Sequence, residues 1–340
     1  MRSLAHIQEK LFITVYREEH INSFFNGKYF NIVAIALFAA SAIYYFCSGL
    51  TISHVNNSGP FFPSSNLWLE GYPVLSLLLN MTCIIAMGYL LKLLNSIYGF
   101  IRSHTAITLS VFILLEMSNP HITTQFFDGT ALCLLVTMLT FIMFNSYQQR
   151  HSSYSIYGSF ALLGFYSMFQ YSCLYLIPVY ILGFMQMRVM NFKGLLAMLF
   201  GLVTAPWIAF GFGMITFNDI STPEMRNVWE VLDKEQSLSL IIMSAATAVF
   251  ALMLMATNMF HLISYKAQRR AYNGFFSVLT IATIIMACAD YTNVLNYLPV
   301  LNLCFAIHAG HSFTINKFDK RYIAILILLA ACCTAYIYNF

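Results

Sequence analysis

Glu116 closes an apolar run just before Ser118-Asn119-Pro120-His121, and Asp128 opens the next one. Ionisable groups at membrane depth are costly and are candidates for function by default. Glu116 has two readings, a buried hydrogen-bonded acid or a functional acid. Asp128 either meets a helix dipole favourably at an N-terminus or lines an outer cavity. His121 could partner either carboxylate or could simply be a turn residue. Because buried acids need partners, Glu116, Asn119, His121 and Asp128 are expected to converge on one polar pocket around the proline-broken turn.

Glu70 is the only acid of a polar loop that runs from Thr51 to Gly71. A carboxylate at a membrane surface can take a proton from a sugar hydroxyl or hold a divalent metal, and it can equally be a solvated loop residue. Gln170 interrupts an apolar stretch and needs polar partners there, from helix packing or from a ligand. Asp290, before Tyr291, marks the end of another apolar run. The expected site therefore has Glu70, Asp128 and Glu116 as catalytic groups, and Asn119, His121 and Gln170 as substrate contacts.

No Walker motif, GxGxxG, HExxH, GxSxG or metal-ligand spacing occurs, so no cofactor or resident metal is named and a self-contained ATP-driven pump is disfavoured. Nucleic acid is not an expected partner; membrane lipids are. The eight cysteines all lie in apolar runs without a CxxC pair, so they read as small buried hydrophobes rather than a disulfide framework or a zinc site.

The elements that would hold these groups are set by composition. Hydrophobic residues make up 59% of the 340-residue chain and charged residues 9%, with a mean hydropathy of +0.71. An ordinary soluble domain carries about 25% charged residues. The reading is an all-α, polytopic transmembrane bundle of about eleven helices (range nine to twelve). Its spans are 30–50, 72–91, 105–117, 127–144, 194–212, 237–260, 273–289, 297–313 and 322–340. The uncharged stretch 157–187 is divided into two abbreviated helices turning near Gln170, and the 105–117 and 127–144 pair forms a hairpin too short to cross fully. Residues 1–29 form a cytoplasmic segment with an amphipathic interfacial helix, in which Leu4, Ile7, Leu11 and Val15 face away from Glu9, Lys10, Arg17 and Glu18. Residues 30–340 form one transmembrane domain.

With the N-terminus inside and the segments alternating, 15 of the 17 basic residues fall on the cytoplasmic side, with only Arg226 and Lys234 outside. This is the positive-inside pattern. Nine of the thirteen acids map to or near the outer face, and the C-terminus is expected outside. The 213–236 loop carries five acids and two bases, either a cation-attracting surface or a solvated segment.

Several short motifs carry a resemblance. They are Leu93-Leu94-Asn95, Ile101-Arg102-Ser103-His104-Thr105, Ser118-Asn119-Pro120, Phe126-Phe127-Asp128-Gly129, the run Gly158 to Gln170, Tyr175-Leu176-Ile177-Pro178 and Met190 to Leu196. Over residues 85 to 215 the chain resembles a family of multi-pass inner-membrane proteins of Bacteroidota with no assigned activity. The same region is similar in topology to the membrane core of GT-C glycosyltransferases, which use polyprenyl-phosphate sugars and carry a catalytic acid in the first outer loop. The likeness puts Glu70 in that position and implies a polyprenyl-phosphate-linked sugar as a partner. It departs from the family in having one acid in the loop rather than an acid-rich motif. The outer face is also poor in arginine and lysine, which counts against a Wzy-type polymerase as well. The functional expectation is a role in cell-envelope glycan or lipid-linked sugar assembly, as a transferase or a non-catalytic relative. The alternatives are a transporter or flippase working through Glu116, Asp128 and Gln170, and a structural subunit of a membrane complex.

Overall fold

The computed structural model of the protein describes residues 28–49, 59–63, 65–69, 71–101, 107–149, 152–216, 235–262 and 264–315. Among the described residues there is no strand. In chain order the helices are α1 (Lys28–Cys47), the single turn α2 (Ser65–Trp68), α3 (Pro73–Tyr98), α4 (Ile107–Met117), the single turn α5 (Pro120–Thr123), α6 (Asp128–Asn145), α7 (Ser153–Ser167), α8 (Leu176–Gln186), α9 (Phe192–Gly211), α10 (Glu235–Leu262), α11 (Ala267–Ala289) and α12 (Val294–Ile315). Among the described residues, six stretches are long and apolar enough to cross a membrane: Tyr29–Cys47, Pro73–Tyr98, Asp128–Asn145, Phe192–Gly211, Leu240–Leu262 and Ala267–Ala289. The expected 1–29 segment, apart from its last two residues, and the expected last span, 322–340, lie outside the described residues, as does most of the acidic 213–236 loop.

Helix ends follow local chemistry. Pro73 opens α3 at a position whose N–H would have no intrahelical partner anyway. The span expected to end at residue 91, before Lys92, does not stop there; α3 continues to Tyr98 and ends where Gly99 turns left-handed at φ 56°. A single lysine has good helix propensity, and the glycine supplies the stop. Pro120 follows the end of α4 within three residues. The 157–187 stretch does divide: α7 and α8 are joined by a 3₁₀ turn over Tyr171–Cys173, with Gln170 in extended backbone immediately before it. At 11 residues, α4 and α8 are each about 16 Å long. Each is roughly half of a bilayer's hydrocarbon core.

Contacts fix the helix directions. Asn31 and Ser110 meet near the starts of α1 and α4, and Tyr180 reaches Val136 in the parallel pair α8 and α6. The Cys133 thiol approaches the Pro299 carbonyl in the parallel pair α6 and α12. Asn258 and His308 meet near the ends of α10 and α12. With Asn80 of α3 beside Thr130 of α6, Gly201 of α9 beside Tyr157 of α7 and Gly274 of α11 beside Gln186 of α8, the ten longer helices among the described residues alternate in direction along the chain. At the centre stands α12, buried on every side from residue 296 to 312. The outer surface is apolar, with Phe200, Val203 and Trp207 of α9 exposed, as suits contact with lipid.

Glycine sets one close approach, between α7 and α9. A methyl group on Gly164 would lie 2.5 Å from the Leu202 carbonyl oxygen, and one on Gly201 2.6 Å from that of Tyr157. Backbones packed this closely leave no room for a side chain. Gly164→Ala and Gly201→Ala should each cost about 1–3 kcal/mol, read as earlier thermal unfolding in detergent. Gly158→Ala, on the same helix with nothing within 4 Å, should be neutral or slightly stabilising through helix propensity.

Candidate functional site at the acidic end of the bundle

The helix directions sort charge between the two ends. Among the described residues, Glu116, Asp128, Glu235 and Asp290 belong to one end, and Lys28, Lys92, Arg188, Lys193, Lys266, Arg269 and Arg270 to the other. The candidate site lies at the acidic end.

Asp128 starts α6 and is almost fully buried. Its Oδ1 accepts hydrogen bonds from the Ser65 backbone N–H (2.9 Å) and from the Ser65 hydroxyl. The segment 59–63, just before Ser65, is tied to the end of α7. The Phe61 and Phe62 N–H groups donate to the Met168 carbonyl at 3.2 and 3.1 Å. Phe62 stacks on Phe169, and Phe61 meets Phe210 edge-on. A Cβ on Gly59 would lie 2.2 Å from the Phe169 carbonyl carbon, so only glycine fits there. Tyr166 and Cys173 lie within electrostatic reach of Asp128. Gln170 is buried beside this loop, and neither its Oε1 nor its Nε2 finds a hydrogen-bond partner among the described residues.

Glu116 belongs to a different network. Its Oε1 accepts from Asn302 Nδ2 of α12 at 3.2 Å, while its Oε2 has no partner among the described residues. The turn joining it to Asp128 is buried and tied to α3. Asn80 donates to the carbonyls of Ile122 (2.6 Å) and Thr123 (3.2 Å) and accepts from the Thr130 hydroxyl (2.8 Å). The Ser76 hydroxyl accepts from the Phe126 N–H at 2.9 Å. Asn119 is buried in this turn. His121 is in α5, its side chain outside the described residues, and Glu70 lies outside them as well. Asp290 accepts from Asn293 and Tyr297 at 2.8 Å each, which closes the junction of α11 and α12.

Of the four residues expected to share a pocket, Glu116 bonds to Asn302 and Asp128 to Ser65. Asp128 and Gln170 are brought under one loop, while Glu116 faces the central helix. Ser65, Tyr166, Asn80 and Asn302 were not singled out from the sequence. Asn80 and Asn302 carried the same signal that marked Gln170, an amide inside an apolar run. Near the basic end, a further polar cluster surrounds two buried histidines of α12. His308 Nε2 pairs with the Thr280 hydroxyl at 2.9 Å, and His311 pairs with Asn273. Among the described residues no group of three or more His, Cys, Asp and Glu is placed to hold a metal.

Chemically, a buried carboxylate that accepts from the Ser65 N–H and hydroxyl is a hydrogen-bond acceptor and, when ionised, a base for a hydroxyl group. Among the described residues the fold is all-helical, with six stretches compatible with membrane insertion. Comparison with protein-family models, with curated proteins and with solved structures finds no match to this chain.

Proposed function

We propose that the protein is a polytopic inner-membrane protein of about eleven membrane helices, with its basic end in the cytoplasm. In this reading its acidic end handles a polyprenyl-phosphate-linked sugar in cell-envelope glycan assembly, as a GT-C-like transferase. Kinship with the Bacteroidota membrane family belongs to the same proposal. The observation that carries it is the bond of Ser65 to the buried Asp128, at a residue only five positions before Glu70 in the sequence. Glu70 acts as the base for the acceptor hydroxyl, and Asp128, Tyr166 and Gln170 orient the sugar. Complementation of a deletion strain by Glu70→Gln and Asp128→Asn variants, read as surface glycan profiles, tests the proposal.

The orientation has its own test. Reporter domains fused within 218–234 and after Phe340 should both read as non-cytoplasmic. A cytoplasmic reading within 218–234 would invert the assignment of the acidic end and remove the site from the leaflet where it is needed.

A second reading, a transporter or flippase, is supported by Glu116, an acid on a half-length helix facing the central one. Broken or shortened helices at membrane depth are a recurring feature of transport sites.

A further inference from the structure

We propose that Glu116 and Asn302 form a proton-binding site inside the bundle, loaded from the acidic end through the buried polar turn between α4 and α6. The inference is independent of the glycan reading, which rests on Glu70 and Asp128.

The geometry carries it in three steps. Glu116 ends a helix of only 11 residues, so its carboxyl group is held within the bundle rather than at the end of a full-length span. It is completely buried, and a charge at membrane depth is costly unless it is matched. Only one oxygen is matched, by the Asn302 amide at 3.2 Å; Oε2 has no donor or acceptor among the described residues.

The surroundings supply no countercharge. Among the described residues no ion pair reaches Glu116, and the titratable group that feels its charge is Cys133 of α6. Of the elements packed on α4, α1 and α3 carry Lys28 and Lys92 toward the basic end. The histidines of α12 lie six and nine residues beyond Asn302, and α5 carries His121. A proton is the one ligand small enough to complete Oε2 without opening the core. On loading, Oε2 takes a proton from water at the acidic end, and the carboxylate becomes a neutral acid that keeps its bond to Asn302. On release, the proton returns and the charge is restored. The turn that follows Glu116 supplies buried polar groups for such a route, Ser118, Asn119, Thr123 and Thr124.

The test uses the full chain reconstituted in lipid vesicles and titrated with acid while its infrared spectrum is recorded. Wild type should show a protonated-carboxyl band that persists at a pH where the solvent-exposed carboxyls have already ionised, disappears as the pH is raised further, and shifts in heavy water. Glu116→Gln should lack that band, and Cys288→Ser, an exposed position, should keep it. Glu116→Asp retains the acid and should restore a displaced band, so the test survives if the glutamine variant fails to assemble. Asn302→Leu should move the pH at which the band is lost, a change that packing alone would not produce. A band unchanged in Glu116→Gln, or no pH-dependent band in wild type, overturns the proposal. Loss of glycan complementation by Glu70→Gln with this band intact would leave the two readings separately scored.

Discussion

In a strain lacking the protein, Glu70→Gln expressed at wild-type level should leave the surface glycan profile close to that of the deletion. General-base assistance contributes roughly 10²–10⁴-fold in rate, and the amide cannot accept the acceptor's proton. Asp128→Asn should lose activity too, because its carboxylate would no longer be available to a sugar hydroxyl. Ser65→Ala separates positioning from catalysis. It removes the hydroxyl bond to Asp128 but keeps the backbone N–H at 2.9 Å, so a partial loss with raised KM is expected. Assembly must be checked beside each variant by detergent extraction and gel filtration. Full complementation by Glu70→Gln would end the transferase reading, since a solvated loop carboxylate contributes only within about 0.5 kcal/mol and its loss goes unnoticed.

Asn80→Leu should be the most damaging single change to the fold of the site. Its carboxamide makes three bonds, to the carbonyls of Ile122 and Thr123 and from the Thr130 hydroxyl. A leucine of similar size fills the space but leaves those groups unpaired in a buried turn. Each unpaired buried group costs about 1–3 kcal/mol, although in a bilayer the unfolded reference also finds partners and lowers the net figure. With that discount a net loss of about 2–4 kcal/mol is expected for the three groups, seen as a lower unfolding temperature and as faster proteolysis within 118–127. An unfolding temperature equal to wild type would mean that the turn is held by its apolar neighbours alone.

Helix limits were legible wherever a local signal set them. Pro120 stopped α4, and the polar interruption around Gln170 and Ser172 divided the 157–187 stretch into α7 and α8. Lys92 misled for a reason visible in the structure: a charge on one face does not end a helix, whereas Gly99 in the left-handed region does. The acids were also legible as candidates, because a carboxylate in an apolar chain is conspicuous. Their grouping was not. Sequence proximity put Glu116 and Asp128 in one pocket, but the turn between them is anchored to Asn80 on another helix. The two carboxylates accordingly bond to different parts of the bundle.

By itself the sequence determined the all-helical class, the positions of most helix ends and the separation of basic from acidic ends. These follow from transfer free energies and stop signals that act within a few residues. Only the tertiary structure decided which buried polar groups meet. Ser65 reaches Asp128 across 63 residues of chain, and Asn302 reaches Glu116 across 186. A buried acid must find a donor, yet any serine or asparagine in an apolar helix would satisfy that demand. Which one does so depends on how half-length helices pack around α12, and that information lies in no single stretch of the chain.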